Sequence, residues 1–179
     1  MSALTHESGG DRRIRIGEFL SIKPPPDWML DGEDDDLAIS GHLYSKIAFR
    51  FRPPDCDEVC LTFQLATLLH GTNERKLFEA LLTRKGRPSS AEVEFLYPRL
   101  VNLAPRSLVD YIVLDLSGLG RLLRVDYVDP ESRCSGMFLY AAVDPQADDF
   151  FVISYVGASN HFSRYGKEVR KCIKQTRRI

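Results

Sequence analysis

A chain of 179 residues is long enough for one domain that buries roughly 70% of its unfolded surface, so its core needs no staples. Lys and Arg number 24 against 25 Asp and Glu, and a formal net charge of -1 excludes a global field that would hold the protein on nucleic acid or an anionic membrane. Four cysteines, Cys56, Cys60, Cys134 and Cys172, are too sparse for a disulfide-built secreted domain and suit a reducing compartment.

Residues 1–13 carry Gly9-Gly10-Asp11-Arg12-Arg13 and no apolar h-region, so they read as a disordered tail rather than a signal peptide or anchor. Residues 14–179 read as a single α+β domain. No window approaches the roughly 18 apolar residues that span a bilayer, and a cytoplasmic protein with no membrane partner is the default expectation. Ile14, Ile16, Leu20 and Ile22 mark an extended segment whose alternation slips near Glu18-Phe19, which predicts a bulge. Pro24-Pro25-Pro26 ends it, since three missing amide donors cannot continue a ladder. Trp28, the only tryptophan, then either plugs the end of a sheet or anchors an interface.

Asp31 to Asp36 reads as an acidic turn leading into a strand over 44–52, where Ile47, Phe49 and Phe51 alternate with Lys46, Arg50 and Arg52. Asp55 or Asp57 can cap a helix running to about His70 with Gly71 as its stop, but Val59, Leu61, Phe63 and Leu65 alternate and allow a strand as well. A helix over 72–85 with Leu77, Leu81 and a Gly86 stop follows. Ser89 with Glu92 forms a capping box for another, through Val93, Leu96 and Leu100 and interrupted by Pro98. Four apolar runs at 108–116, 122–128, 137–143 and 150–156 are separated by Gly118-Leu119-Gly120, Asp129-Pro130 and Asp144-Pro145, the pattern of an antiparallel meander. A last helix, capped by Ser159 or Asn160, places Phe162, Tyr165, Val169, Cys172 and Ile173 on one face and its basic residues on the other. The expected architecture is therefore α+β: a central antiparallel sheet of five to seven strands flanked by helices, with the C-terminal amphipathic helix packed on it. Its core should hold Ile16, Leu20, Phe49, Phe51, Ile112, Leu114, Val125, Tyr127, Phe138, Val152, Ile153, Phe162 and Val169.

Charge is balanced overall but not locally. From Asp27 to Glu58 nine acidic residues face Lys46, Arg50 and Arg52, whereas the last nineteen residues hold seven basic residues against Glu168. The run Glu33, Asp34, Asp35, Asp36 lacks the Asp/Asn-Gly alternation and terminal Glu of a calcium loop, and the partner it suits is a protein with a basic surface. The basic last helix has no aromatic platform beside it, which argues against nucleic acid.

Candidate chemistry is thin. Cys56 and Cys60, with His70 as a third group, fall short of the four ligands of structural zinc, so no metal is expected. Gly118-Leu119-Gly120 lacks the third glycine and the Lys-Ser/Thr pair of a phosphate loop and reads as a hairpin turn, and no cofactor is expected. Cys134 or Ser135 with His161 and Asp144 or Asp148 supplies the ingredients of a small hydrolase, without an elbow motif to order them.

The segment Glu18-Phe-Leu-Ser-Ile-Lys-Pro-Pro-Pro-Asp-Trp28 resembles the opening of PsbP-like and DcrB-like proteins, with a hydrophobic stretch and then Pro-x-x-Trp. Asp149-Phe-Phe-Val-Ile-Ser-Tyr-Val156, followed by Phe162, Tyr165 and a helix to Thr176, is similar to the last strand and helix of that superfamily. The resemblance covers about a third of the chain; residues 57–104 depart from it by being longer and more helical. It implies an α-β-α-like arrangement found mostly in non-catalytic adaptors: photosystem assembly subunits, a nuclear transport cofactor and bacterial chaperones of type VI secretion effectors. It carries over no catalytic residue.

The functional expectation is a non-enzymatic cytoplasmic binding protein, either an immunity protein that neutralises a toxin by occlusion or a chaperone and adaptor for a secreted effector. Glu33, Asp34, Asp35 and Asp36 would steer the partner. The alternative from another class is the hydrolase built on Cys134 or Ser135 with His161.

Overall fold

The computed structural model describes residues 13–16, 18–38, 43–68, 76, 80, 89, 108–129, 131–142 and 149–179. Ten strands and one long helix form there: β1 (Ile14–Ile16), β2 (Leu20–Ile22), β3 (Met29–Ala38), β4 (Leu43–Arg52), β5 (Val59–Leu68), β6 (Leu108–Leu116), β7 (Gly120–Asp129), β8 (Cys134–Ala142), β9 (Asp149–Ala158), α1 (Ser159–Gln175) and β10 (Arg177–Arg178). Seven strands make one antiparallel sheet in the order β3-β4-β5-β9-β8-β7-β6, so two meanders are joined where β5 meets β9. That junction runs from Val59 opposite Gly157 to Thr67 opposite Asp149 and closes nearly a hundred residues of chain.

Both faces of this sheet are apolar and buried. On one face Phe49, Phe51, Leu61, Phe63, Met137, Leu139, Phe151, Ile153 and Tyr155 join a core with Tyr165, Val169, Cys172 and Ile173 of α1. On the other Leu123, Val125, Tyr127, Phe138, Tyr140, Phe150 and Val152 are buried too, with Tyr127, Phe138 and Tyr140 stacked in a row at centroid distances of 5.6 and 6.3 Å. Strands buried on both sides need no polar alternation, which is why β5 and β9 are almost continuously apolar.

A second, three-stranded sheet, β1-β2-β10, ties the two ends of the described chain together. Ile14, Ile16, Leu20 and Ile22 are all 2% exposed or less, so this clasp belongs to the same core. Phe19 meets Phe151 edge-on at 6.3 Å, and Trp28 meets Tyr165 edge-on at 5.8 Å. The two segments that carry the PsbP-like resemblance are thus packed against each other.

Several expectations are corrected. The slip near Glu18-Phe19 is a tight hairpin between β1 and β2, closed by Phe19 N–H donating to Ile16 O, and not a bulge. Asp31 to Asp36 lie in a strand, because pairing with β4 supplies the backbone bonds that aspartate's weak strand preference does not. Residues 59–68 are strand and not helix, since β4 and β9 flank them on either side. The helix starts after Ala158 with no side-chain cap, because the Ser159 hydroxyl is engaged elsewhere. One helix over 159–175 packs on the sheet; the helices expected over 72–85 and 89–100 lie outside the described residues, apart from helical Lys76 and Ala80 and the non-helical Ser89. Ile112, Leu114 and Phe162 are half-buried, whereas the remaining expected core positions are buried.

Candidate functional site

The acidic run occupies the end of the large sheet. Among the described residues β3 pairs only with β4, so its other edge is the sheet's terminal edge. Glu33, Asp34 and Asp35 stand opposite Phe49, Ala48 and Ile47 in register. A register shift between Leu30 and Gly32 twists the strand just before the carboxylates begin.

The start of β3 is fixed by charge. Arg52 Nε donates to Asp31 Oδ2 at 2.7 Å, and Arg52 Nη1 donates to the Asp57 carbonyl at 2.5 Å, so one guanidinium ties β3 to the β4–β5 turn. Upstream, Asp27 takes a left-handed φ of 64°, which short polar side chains tolerate, and turns Trp28 inward after the prolines. Trp28 is 4% exposed, and its Nε1–H donates to Glu168 Oε2 of α1 at 3.2 Å. It is a plug and not an exposed anchor. An open groove of about 880 Å³ runs along this junction, lined by Pro24, Pro25, Pro26, Trp28, Glu168 and Lys171.

A second brace joins α1 to the β4–β5 turn. Asp55 accepts from Tyr165 Oη at 2.8 Å and from Arg164 Nη2 at 2.5 Å. The Tyr165 hydrogen bond, with the Arg164 guanidinium, holds the Asp55 carboxyl below the usual carboxylate range. Burial, with the same carboxylate as acceptor, pushes the Tyr165 phenol up to about 12. Residue spacing gave no signal of this pair, whose members lie 110 positions apart.

The residues of the hydrolase alternative have other partners. Ser135 Oγ, 8% exposed, is 2.8 Å from Ser159 Oγ, while His161 Nε2 faces Glu58 Oε2 at 3.5 Å and Cys134 Sγ points to the Ser132 carbonyl. The structure therefore does not order Ser135 and His161 as nucleophile and base, and Asp144 and Asp148 lie outside the described residues. All four cysteines are free thiols. Cys56 is buried under the core, Cys60 lies 3.4 Å from Thr62 Oγ1, and among the described residues no cluster of three metal-ligating side chains occurs; His70 is not among them. Burial alone pushes the Cys172 thiol up to about 12.

No family model and no curated protein matches the chain. Among solved structures, it is similar to LpqN of Mycobacterium tuberculosis, a protein described as involved in cell envelope biogenesis. The match has a TM-score of 0.54 at 13% identity and covers 97% of this chain and 88% of LpqN. The likeness is one of fold. At that identity a shared sheet and helix carry no activity with them.

Proposed function

We propose that this protein is a non-enzymatic binding protein that takes a basic partner against the outer edge of β3. The observation that carries the reading is the position of Glu33, Asp34, Asp35 and Asp36: a ten-residue strand at the end of the sheet, paired on one side among the described residues. A strand edge offers a row of N–H and C=O groups that another chain can extend. Four consecutive carboxylates oppose pairing between two copies of this protein and favour a segment rich in Lys or Arg. The same charges explain both selectivity and solubility.

The PsbP-like and DcrB-like resemblance supports an adaptor, and occlusion of a toxin's basic cleft or cover for a secreted effector would each use such an edge. Four free thiols support a cytoplasmic location. The test is affinity capture from the source cell with the wild type and with a variant carrying Glu33→Gln, Asp34→Asn, Asp35→Asn and Asp36→Asn, followed by association kinetics at two salt concentrations. The reading expects the variant to associate several-fold more slowly at low salt, with the difference shrinking near 1 M, where the Debye length is about 3 Å. Equal rates and equal salt dependence would refute it. His161→Ala should leave the partner bound, and recovery of the protein in the envelope fraction would overturn the location.

A further inference from the structure

The sheet's opposite end carries the opposite charge. There the β6–β7 turn, the last turn of α1 and β10 enclose an open cleft of about 810 Å³ lined by Ser117, Arg121, Lys174, Arg177 and Arg178. Going from β3 to β7 takes five strand-to-strand steps of about 4.8 Å, so the two charged regions stand about 24 Å apart. The cations come from three separate elements, so no single sequence window shows them together.

The cleft is held in shape by backbone. Arg178 N–H donates to the Gly118 carbonyl at 2.8 Å, and a Cβ placed on Gly118 would stand 2.3 Å from the Thr176 carbonyl oxygen, so only glycine lets the turn approach so closely. Gly120 leaves the turn with a φ of 77°, another conformation that glycine allows without cost. Lys174 has a local use, since cations favour a helix C-terminus, and Arg121 has Asp115 directly across in register. Neither explains Arg177 and Arg178, which lie beyond the helix. Arg178 also lies over the Phe151 ring at 6.0 Å, and burial holds it below the usual guanidinium range. A partly dehydrated guanidinium gains more from an anion than a solvated one does.

We infer that this cleft binds a multiply charged phosphate group through Arg121, Lys174, Arg177 and Arg178. Planar guanidinium forks match phosphate oxygens in pairs, and Lys174 adds a point charge. Among the described residues that line the cleft none is aromatic, so it offers a nucleobase no stacking surface and the phosphate itself is what it reads. The group can arrive free in solution or on a lipid headgroup, and the two sources are separable.

The experiment titrates inorganic pyrophosphate into the wild type at constant ionic strength, and sediments the protein with phosphatidylcholine vesicles that contain or lack phosphatidic acid. The variant Arg121→Gln with Arg177→Gln should weaken binding of whichever probe binds by about tenfold or more, while Lys167→Gln, on the solvent face of α1, should leave it unchanged. Pyrophosphate binding without vesicle binding assigns a free ligand; vesicle binding that needs phosphatidic acid and the two arginines assigns a headgroup. If the double variant unfolds, Lys174→Gln alone must weaken binding. Failure of both probes, or equal binding by the wild type and the cleft variants, overturns the inference.

Discussion

Trp28 is the side chain through which the N-terminal segment, α1 and the start of the acidic strand meet, and Trp28→Ala measures that junction. The indole is 4% exposed, packs edge-on against Tyr165 at 5.8 Å and donates to Glu168 at 3.2 Å. Truncating a buried aromatic costs about 3 to 5 kcal/mol, and the aromatic pair adds about 0.5 to 1.5 kcal/mol. Glu168 is exposed, so its carboxylate returns to water and the lost hydrogen bond adds no more than about 1 kcal/mol. A net loss of about 4 kcal/mol is a large part of the 5 to 15 kcal/mol that holds a domain, and should lower Tm by about 8 to 16 °C. Trp28→Phe keeps the ring contact and should lose less than half as much. Denaturant unfolding followed by far-UV circular dichroism reads both, and because Trp28 is the sole tryptophan, wild-type fluorescence reports its burial directly. A Trp28→Ala cost under about 1 kcal/mol, or native emission at the wavelength of water-exposed tryptophan, would refute the packing described.

Phe162→Ala should cost about 1 to 3 kcal/mol, below the value for a fully buried phenylalanine, because Phe162 is half-buried although it stacks on Tyr155 at 4.3 Å; chemical denaturation decides. Thiol titration should find four reactive groups under denaturant, with Cys60 and Cys134 fast and Cys56 and Cys172 protected in the native state, so uniform native reactivity would contradict the burial. The Asp55–Tyr165 pair should stabilise the fold across neutral pH. The lowered Asp55 value makes its contribution present above the model value of 3.8 and lost as pH falls through the folded value; the raised Tyr165 value makes its contribution complete below about pH 10 and lost as pH rises through about 12. Asp55→Asn should therefore weaken stability at pH 7 and make little difference near pH 2, as paired thermal melts at the two pH values would show.

Much of the sheet was legible because its punctuation is local. Gly118-Leu119-Gly120 and Asp129-Pro130 break the chain between runs that pair as adjacent strands β6, β7 and β8, and α1 announces itself through Tyr165, Val169, Cys172 and Ile173 on one face. β5 was ambiguous because burial on both faces removes the alternation that distinguishes strand from helix. β10 was illegible: two arginines carry no periodicity, and their strand exists only because β2 lies beside them. Asp31 to Asp36 looked like a turn since aspartate favours turns, and only cross-strand pairing with β4 overrides that preference. For the candidate sites the residue types were visible and the company they keep was not. Ser135 with Ser159, His161 with Glu58 and the basic cleft each depend on strand order that no short window contains.

The central claim is that β3 is the edge a partner extends, and hydrogen exchange of the purified complex tests it most directly. Backbone amides on the outer edge of β3 exchange with solvent unless another strand accepts from them. The account predicts that binding the captured partner slows exchange within Met29–Ala38 more than anywhere else in the described chain, and that the four-amide variant shows less of this protection at the same partner concentration. Protection centred on α1 or on the groove beside Trp28, with β3 exchanging as in the free protein, would contradict it.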